Sequence, residues 1–139
     1  MTKENIVKTL KAQHIKIEDI LHEVDNYLEN NKELDPVYIH EHLLNFREIL
    51  MEHIALEDNE FYPDLIKRMK KIHENTEDIC DFTARMNVIL EYVYGFLEKY
   101  DSPEKIKAEH RDSFRALYIR MMSRLEIRIN VEELFVYNK

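Results

Sequence analysis

The sequence predicts an all-α protein: an up-down-up-down antiparallel four-helix bundle made from a duplicated helical hairpin. The 139 residues include one glycine and three prolines, which is too little turn chemistry for a sheet of many hairpins. Hydrophobic residues at 45% and charged residues at 35% suit long amphipathic helices. An internal repeat links the two halves of the chain. At this length we expect a single domain over residues 1–139.

The first hairpin is predicted from apolar spacing and from cap residues. A helix from about Lys3 to Asn30 is expected because apolar residues recur at three- and four-residue steps. Asp35 is the expected N-cap of the second helix, with Pro36 at its first position. Pro63 is expected to kink or end that helix, because its ring removes a backbone donor and crowds the preceding turn.

The second hairpin has a less definite beginning. The third helix is predicted to begin between Lys70 and His73, with Asn75 and Thr76 as alternative caps. A break that contains a proline follows this helix. The fourth helix is then predicted to run to about Tyr137.

The repeat begins on the first helix of each hairpin. His14 and Glu18 have the same spacing as His73 and Glu77. In an up-down bundle the starts of helices one and three lie at the same end, so we expect the two histidines at one level. We therefore predict that His14 and His73 are metal ligands, with Glu77 as a further candidate and Glu18 beside the ligands.

The second part of the repeat lies on the second helix of each hairpin. His53 and Glu57 stand four residues apart on one helical face, as do Arg128 and Glu132 in the second copy. Both pairs lie near helix ends that share the level of His14. Three imidazoles and several carboxylates at one level are the donor set of a non-haem iron site. We predict His53, Glu57 and Glu132 as further metal ligands.

The surroundings of this level follow from the same helical spacing. His22 lies about 12 Å from His14 along the helix axis, at about 1.5 Å per residue, so it cannot join the ligands. We expect surface or rim positions for the remaining histidines, which are His22, His40, His42 and His110. We expect an apolar layer around the ligands from Ile17, Leu50, Cys80, Met121 and Leu125.

These motifs resemble the hemerythrin-like HHE cation-binding domain, a four-helix bundle around a non-haem di-iron centre. That family has a histidine on helices one and three and a His-x-x-x-Glu pair on helices two and four. The stretch from His53 to Pro63 is the most specific part of the resemblance, because an acidic pair followed by an aromatic residue and proline is common there. Ferritin-like proteins use Glu-x-x-His instead, and no histidine of this chain has glutamate three residues before it.

The chain departs from the family pattern at two positions. Arg128 stands where the family has histidine, and Glu77 stands where hemerythrins often have a second helix-three histidine. Because a guanidinium offers no lone pair, Arg128 cannot ligate a metal ion and is expected beside the ligands. Three outcomes follow, in order of preference: one metal ion held by His14, His53, His73 and carboxylates, a depleted di-iron site, or no metal. The resemblance implies iron as the cofactor, at one or two ions per chain.

The favoured function is the binding or sensing of O₂, NO or peroxide at the iron, without turnover. The alternatives are a metal-free helical interaction module derived from this domain, and an oxidoreductase or iron-cluster repair protein. A net charge of −8 argues against a nucleic-acid partner, and no apolar run of about 18 residues predicts a membrane span. The single cysteine, Cys80, cannot form an internal disulfide, and the first residues lack the apolar stretch of a signal peptide, so a cytoplasmic setting is expected.

Overall fold

The computed structural model describes residues 2–107 and 110–139, and over these residues it is helical with no strand. Its helices form the predicted four-helix bundle. In chain order the segments are α1 (Lys3–Asn30), α2 (Pro36–Leu56), π1 (Glu57–Phe61), α3 (Tyr62–Lys71), α4 (Glu77–Lys99), α5 (Arg111–Val131) and π2 (Glu132–Val136). The segments α2, π1 and α3 follow one another without a break, as do α5 and π2, so the described residues form four helical rods: α1, α2–α3, α4 and α5–π2. Two of the rods therefore contain a five-residue π-helical turn, and a 3₁₀ turn at Pro103–Lys105 precedes the last rod.

The packing follows the two hairpins. α1 packs against α2 and α4 packs against α5, while α1 also packs on α5. The contact between α1 and α5 includes a buried hydrogen bond, in which the Tyr118 hydroxyl of α5 donates to the Leu21 carbonyl of α1 at 2.7 Å. Among the described helices, none is both long enough and apolar enough to cross a membrane.

Two helix starts use the caps that the sequence predicts. The Asp35 side chain accepts a hydrogen bond from the Val37 N–H at 3.0 Å, with Pro36 at the first position of α2. The Asn75 side chain accepts a hydrogen bond from the Glu77 N–H at 2.9 Å, and α4 begins at that residue. The third rod of the bundle therefore starts at the later of the two places that the sequence allows.

The helical rod does not end at Pro63, so that half of the expectation is wrong, and the kink stays a prediction. The rod continues through π1 into α3, because the backbone widens immediately before the proline and the Tyr62 N–H donates to the Glu57 carbonyl five residues back. Pro63 then lies in the first turn of α3, where its missing N–H costs little. In π2 the Tyr137 N–H donates to the Glu132 carbonyl at 2.8 Å without a proline, so the wide turn belongs to the repeat.

The core consists of two apolar clusters separated by a polar layer. On α1, Leu10 belongs to one cluster and Ile17 to the other, with His14 between them. On the second rod, Leu50 and Phe61 belong to different clusters in the same way. The buried polar side chains of the described residues all lie in this layer: His14, His53, Glu57, Arg128 and Glu132.

Candidate metal centre

Two imidazoles face each other at the centre of the polar layer. His14 comes from α1 and His53 from α2, and their Nε2 atoms are 3.0 Å apart. The side chains are only 1% and 2% exposed, so bulk water does not separate them. His53 Nε2 lies 3.0 Å from Glu57 Oε1 on the next turn of the same rod. His14 Nε2 lies 3.5 Å from Glu132 Oε1.

The outer nitrogens of both rings face oxygen atoms. His53 Nδ1 donates to Gln13 Oε1 at 2.8 Å, which leaves a lone pair on the Nε2 atom of the neutral ring. His14 Nδ1 lies 3.4 Å from Glu133 Oε2 without hydrogen-bond alignment. If His14 Nε2 donates to His53, its bare Nδ1 faces this carboxylate. If His14 is protonated on Nδ1, two lone pairs face each other, and a cation between the Nε2 atoms removes the conflict.

The buried charges set the protonation of the layer. Burial lowers the pKa of His53 to about 4, so this imidazole is neutral at pH 7. Burial, followed by the neighbouring carboxyl group of Glu57, raises the pKa of Glu132 to about 7. Burial also raises the pKa of Glu57. Without a metal ion, the two carboxylates therefore share about one proton near neutral pH.

Arg128 points into the layer and completes its charge balance. Its Nη2 atom lies 3.4 Å from Glu57 Oε1, and its Nε atom lies 3.5 Å from Glu132 Oε1. Burial alone would lower the pKa of Arg128, but Glu132 and Glu57 raise it above its ordinary value. Nη1 donates to the Met86 carbonyl of α4 at 3.0 Å. One guanidinium and one shared proton thus neutralise two buried carboxylates.

Two tyrosines connect the hairpins across the layer. The Tyr62 hydroxyl donates to Glu132 Oε2 at 2.9 Å, so the first copy's tyrosine binds the second copy's glutamate. The Tyr137 hydroxyl donates to Glu57 Oε2 at 3.4 Å, which is the converse contact. Burial raises the pKa of both phenols above the ordinary value. The reciprocal contacts give the duplicated hairpins approximate twofold symmetry around the cluster.

A family model described as the hemerythrin HHE cation-binding domain matches residues 5–133. The chain belongs to this family. No curated protein and no solved structure gives a match. Hemerythrin HHE domains bind metal cations, typically iron, and His14, His53 and Glu132 could hold such an ion because their donor atoms lie within 4.8 Å of one another.

The donor spacing of this hemerythrin-like cluster suits one ion. With bonds of about 2.1 Å, neighbouring donors around a six-coordinate ion lie about 3 Å apart. His14, His53 and Glu57 present donors at this spacing. The buried Glu132 Oε1 has no hydrogen-bond partner among the described residues, so it has a free acceptor site. Arg128 places a fixed positive charge 3.4 Å from Glu57 Oε1 and 3.5 Å from Glu132 Oε1, and this charge disfavours a second cation at the same carboxylates.

The structure does not bring His73 and Glu77 into the cluster, and these expected positions are corrected. His73 is exposed in the turn after α3, with φ of 60°. Its N–H donates to the Lys70 carbonyl and the next N–H, of Glu74, donates to the Met69 carbonyl, which is a Schellman helix end. Glu77 is exposed in the first turn of α4.

The register of α4 explains why the local repeat misleads. The inward-facing residues align the buried Leu10, His14 and Ile17 of α1 with the buried Phe82 and Met86 and the partly buried Ile89 of α4. The position equivalent to His14 is therefore occupied by methionine, beside Arg128. The helical spacing of the apolar residues in α4 is the sequence signal that could have identified Met86 as this equivalent position.

The other predicted neighbours are partly corrected. Cys80 is exposed on α4 rather than part of the apolar layer, because the buried face at this end of α4 is formed by Ile79 and Phe82. Glu18 is half-buried near Glu133 and Glu126, which help burial raise its pKa. Ile17, Leu50, Met121 and Leu125 are buried as predicted. The four remaining histidines lie at surface or rim positions as predicted: His22, His40, His42 and His110.

Replacing His73 by glycine should stabilise the protein and leave its metal content unchanged. A non-glycine residue in the left-handed region costs about 1 kcal/mol, and glycine removes that cost. Chemical denaturation of metal-free protein measures the gain, and metal analysis of the same variant measures stoichiometry. A loss of bound metal on this substitution would return His73 to the ligand set.

Proposed function

We propose that this hemerythrin-domain protein binds one non-haem iron ion per chain at His14, His53, Glu57 and Glu132. The observation that carries the proposal is the pair of Nε2 atoms facing each other at 3.0 Å, with carboxylate oxygens beside them. Two imidazoles and a carboxylate are a common donor set of non-haem iron. Arg128 adds a fixed positive charge beside both carboxylates, which supports one ion rather than two.

The bound iron would serve to bind or sense a small diatomic ligand, O₂ or NO, or peroxide, without turnover. A single iron ion has no neighbouring iron to supply a second electron, so it suits ligand binding better than the multi-electron reduction available to an iron pair. The apolar clusters on both sides of the layer would exclude bulk water from the ion. We further propose a cytoplasmic location and no nucleic-acid or membrane partner, in line with the net charge of −8.

Metal analysis after anaerobic loading with ferrous iron tests this proposal. The expected result is about one iron per chain, bound tightly enough to survive desalting. Optical spectra before and after exposure to air, NO or peroxide then show whether the ion responds to each ligand. A folded protein that retains no iron would contradict the proposal.

Iron affinity is expected to fall as pH drops below about 7. Iron must displace the proton that Glu132 holds in metal-free protein, and the raised pKa of this carboxyl places the competition near pH 7. Between about pH 7 and 5 the affinity should drop about tenfold per pH unit, and each bound ion should release about one proton. His53 is neutral throughout this range because its pKa is about 4.

Metal titrations at a series of pH values measure this slope. Glu132→Gln should bind iron more weakly and lose the slope, because the competing proton is gone. A slope that survives in Glu132→Gln would assign the competition to Glu57 or to the imidazoles, and a flat wild-type profile would contradict proton displacement altogether.

A metal-free interaction module is the second candidate function. It is favoured by Arg128, whose guanidinium already lies within 3.5 Å of both buried carboxylates and, with the proton that they share, balances their charge without an ion. Such a module would be fully folded without iron and would retain none after loading. The stoichiometry measurement therefore separates the two candidates.

A further inference from the structure

The two tyrosines that cross the polar layer have different neighbours. Tyr137 lies 3.3 Å from His14 Nε2 as well as 3.4 Å from Glu57 Oε2. Its ring stacks on His14, with centroids 5.5 Å apart and an interplanar angle of 19°. Tyr62 instead binds Glu132 Oε2, while the other oxygen of that carboxylate faces His14. Tyr137 is therefore the tyrosine on the imidazole side of the cluster.

The repeat explains this asymmetry. The α4 position equivalent to His14 is Met86, so the second half of the layer offers Tyr62 no imidazole nitrogen. Tyr137 reaches its site from π2, where the wide turn directs both Glu132 and Tyr137 inward. Tyr137 is only 2% exposed, so its contacts with His14 and Glu57 lie inside the protein rather than at its surface.

We propose that the Tyr137 phenolate oxygen is an additional ligand of ferric iron held by His14, His53, Glu57 and Glu132. The inference rests on the iron site proposed above and adds a residue outside its His and Glu ligands. Its oxygen lies 3.3 Å from the His14 Nε2 donor, close to the roughly 3 Å expected between neighbouring donors of one six-coordinate ion. It also lies 3.4 Å from Glu57 Oε2, the second oxygen of the carboxylate whose Oε1 atom faces His53. On coordination the phenolic O–H bond breaks, an O–Fe(III) bond forms, the proton leaves to solvent, and no electron is transferred.

A phenolate ligand narrows the class of molecule that the site would bind. A hard anionic oxygen stabilises Fe(III) relative to Fe(II), so it lowers the reduction potential of the ion. The resting ion is then ferric, and ligands that favour ferric iron, such as peroxide or small anions, are preferred over O₂. Tyr137→Phe should accordingly raise the reduction potential.

Loading with ferric nitrilotriacetate tests the assignment in wild type, Tyr137→Phe and Tyr62→Phe. Iron-loaded wild type should show a visible phenolate-to-iron charge-transfer band and resonance-enhanced phenolate ring vibrations. Tyr137→Phe should lose both signals and bind ferric iron about tenfold or more weakly. Tyr62→Phe is the matched control, since it removes the equivalent hydroxyl of the other copy, and it should retain both signals.

Each outcome decides the assignment. The role of Tyr137 is overturned, and the iron site is left intact, by either of two results. The first is iron-loaded wild type without the band, and the second is a band that persists in Tyr137→Phe and disappears in Tyr62→Phe. Wild type that binds no iron overturns the site and this inference together. Circular dichroism establishes that each variant is folded, and the vibrational spectrum of wild type gives a result that requires no variant.

Discussion

Replacing His53 by alanine should reduce bound iron from about one ion per chain to a small residual fraction. The substitution removes one of two imidazoles and leaves Glu57 Oε1 without the nitrogen now 3.0 Å from it. Changes beside a metal ligand commonly cost about 10- to 100-fold in affinity, so removal of the ligand itself should cost at least the upper value. Iron analysis after anaerobic loading and desalting measures the loss, and His14→Ala should behave alike.

Other histidines of the same protein provide matched controls. His22 is exposed and lies 2.9 Å from Glu126, and His42 Nδ1 donates to the Tyr38 carbonyl at 2.8 Å. Neither ring reaches the polar layer, so His22→Ala and His42→Ala should retain the iron content of wild type. Wild-type iron content in both His14→Ala and His53→Ala would contradict the ligand assignment.

Features set by local spacing are the part of this protein that its sequence predicts well. The four rods follow from apolar periodicity, and Asp35 with Pro36 marks the start of α2 as predicted. His53 and Glu57 share a face because four residues make about one helical turn, and the same spacing aligns Arg128 with Glu132. Periodicity and cap chemistry therefore carry most of the fold and the carboxylate-bearing half of the candidate site.

Features that depend on competition between neighbouring segments are predicted poorly. The similarity of the segments around His14 and His73 extends over a few residues, but the α4 cap lies at Asn75, so His73 ends a helix rather than starting one. The π-helical turns are not predicted because their sequences follow an ordinary α-helical pattern. In π2, for example, no glycine or proline marks the turn. Their consequence is the inward direction of Tyr62 and Tyr137, which spacing along an α-helix does not predict.

We expect Arg128 to limit the proposed site to one ion. Its guanidinium lies 3.4 Å from Glu57 and 3.5 Å from Glu132, the two carboxylates that a second metal would need. Its charge repels a second cation at that distance, and it supplies no lone pair for one. The equivalent of His14 in the second half of the layer is Met86, so both imidazoles of that half are missing.

Restoring these imidazoles should therefore restore the second metal. Arg128→His removes the fixed charge and adds a donor on the same helical face as Glu132, so iron should rise from about one toward two ions per chain. The single variant is expected to fill the second position partly, and the Met86→His/Arg128→His double variant more completely. Metal analysis after anaerobic loading, with competition titrations for each ion, gives the stoichiometry and the two affinities.

Arg128→Met separates the effect of charge from the effect of ligand in this prediction. Methionine removes the guanidinium at similar length but offers iron only a weak thioether donor, so this variant should stay at about one ion per chain. Equal gains in Arg128→Met and Arg128→His would show that charge alone excludes the second ion. A guanidinium between Glu57 and Glu132 repels a second cation at the same carboxylates. If wild type already holds two ions and substitution changes nothing, Arg128 does not limit the number of metal ions.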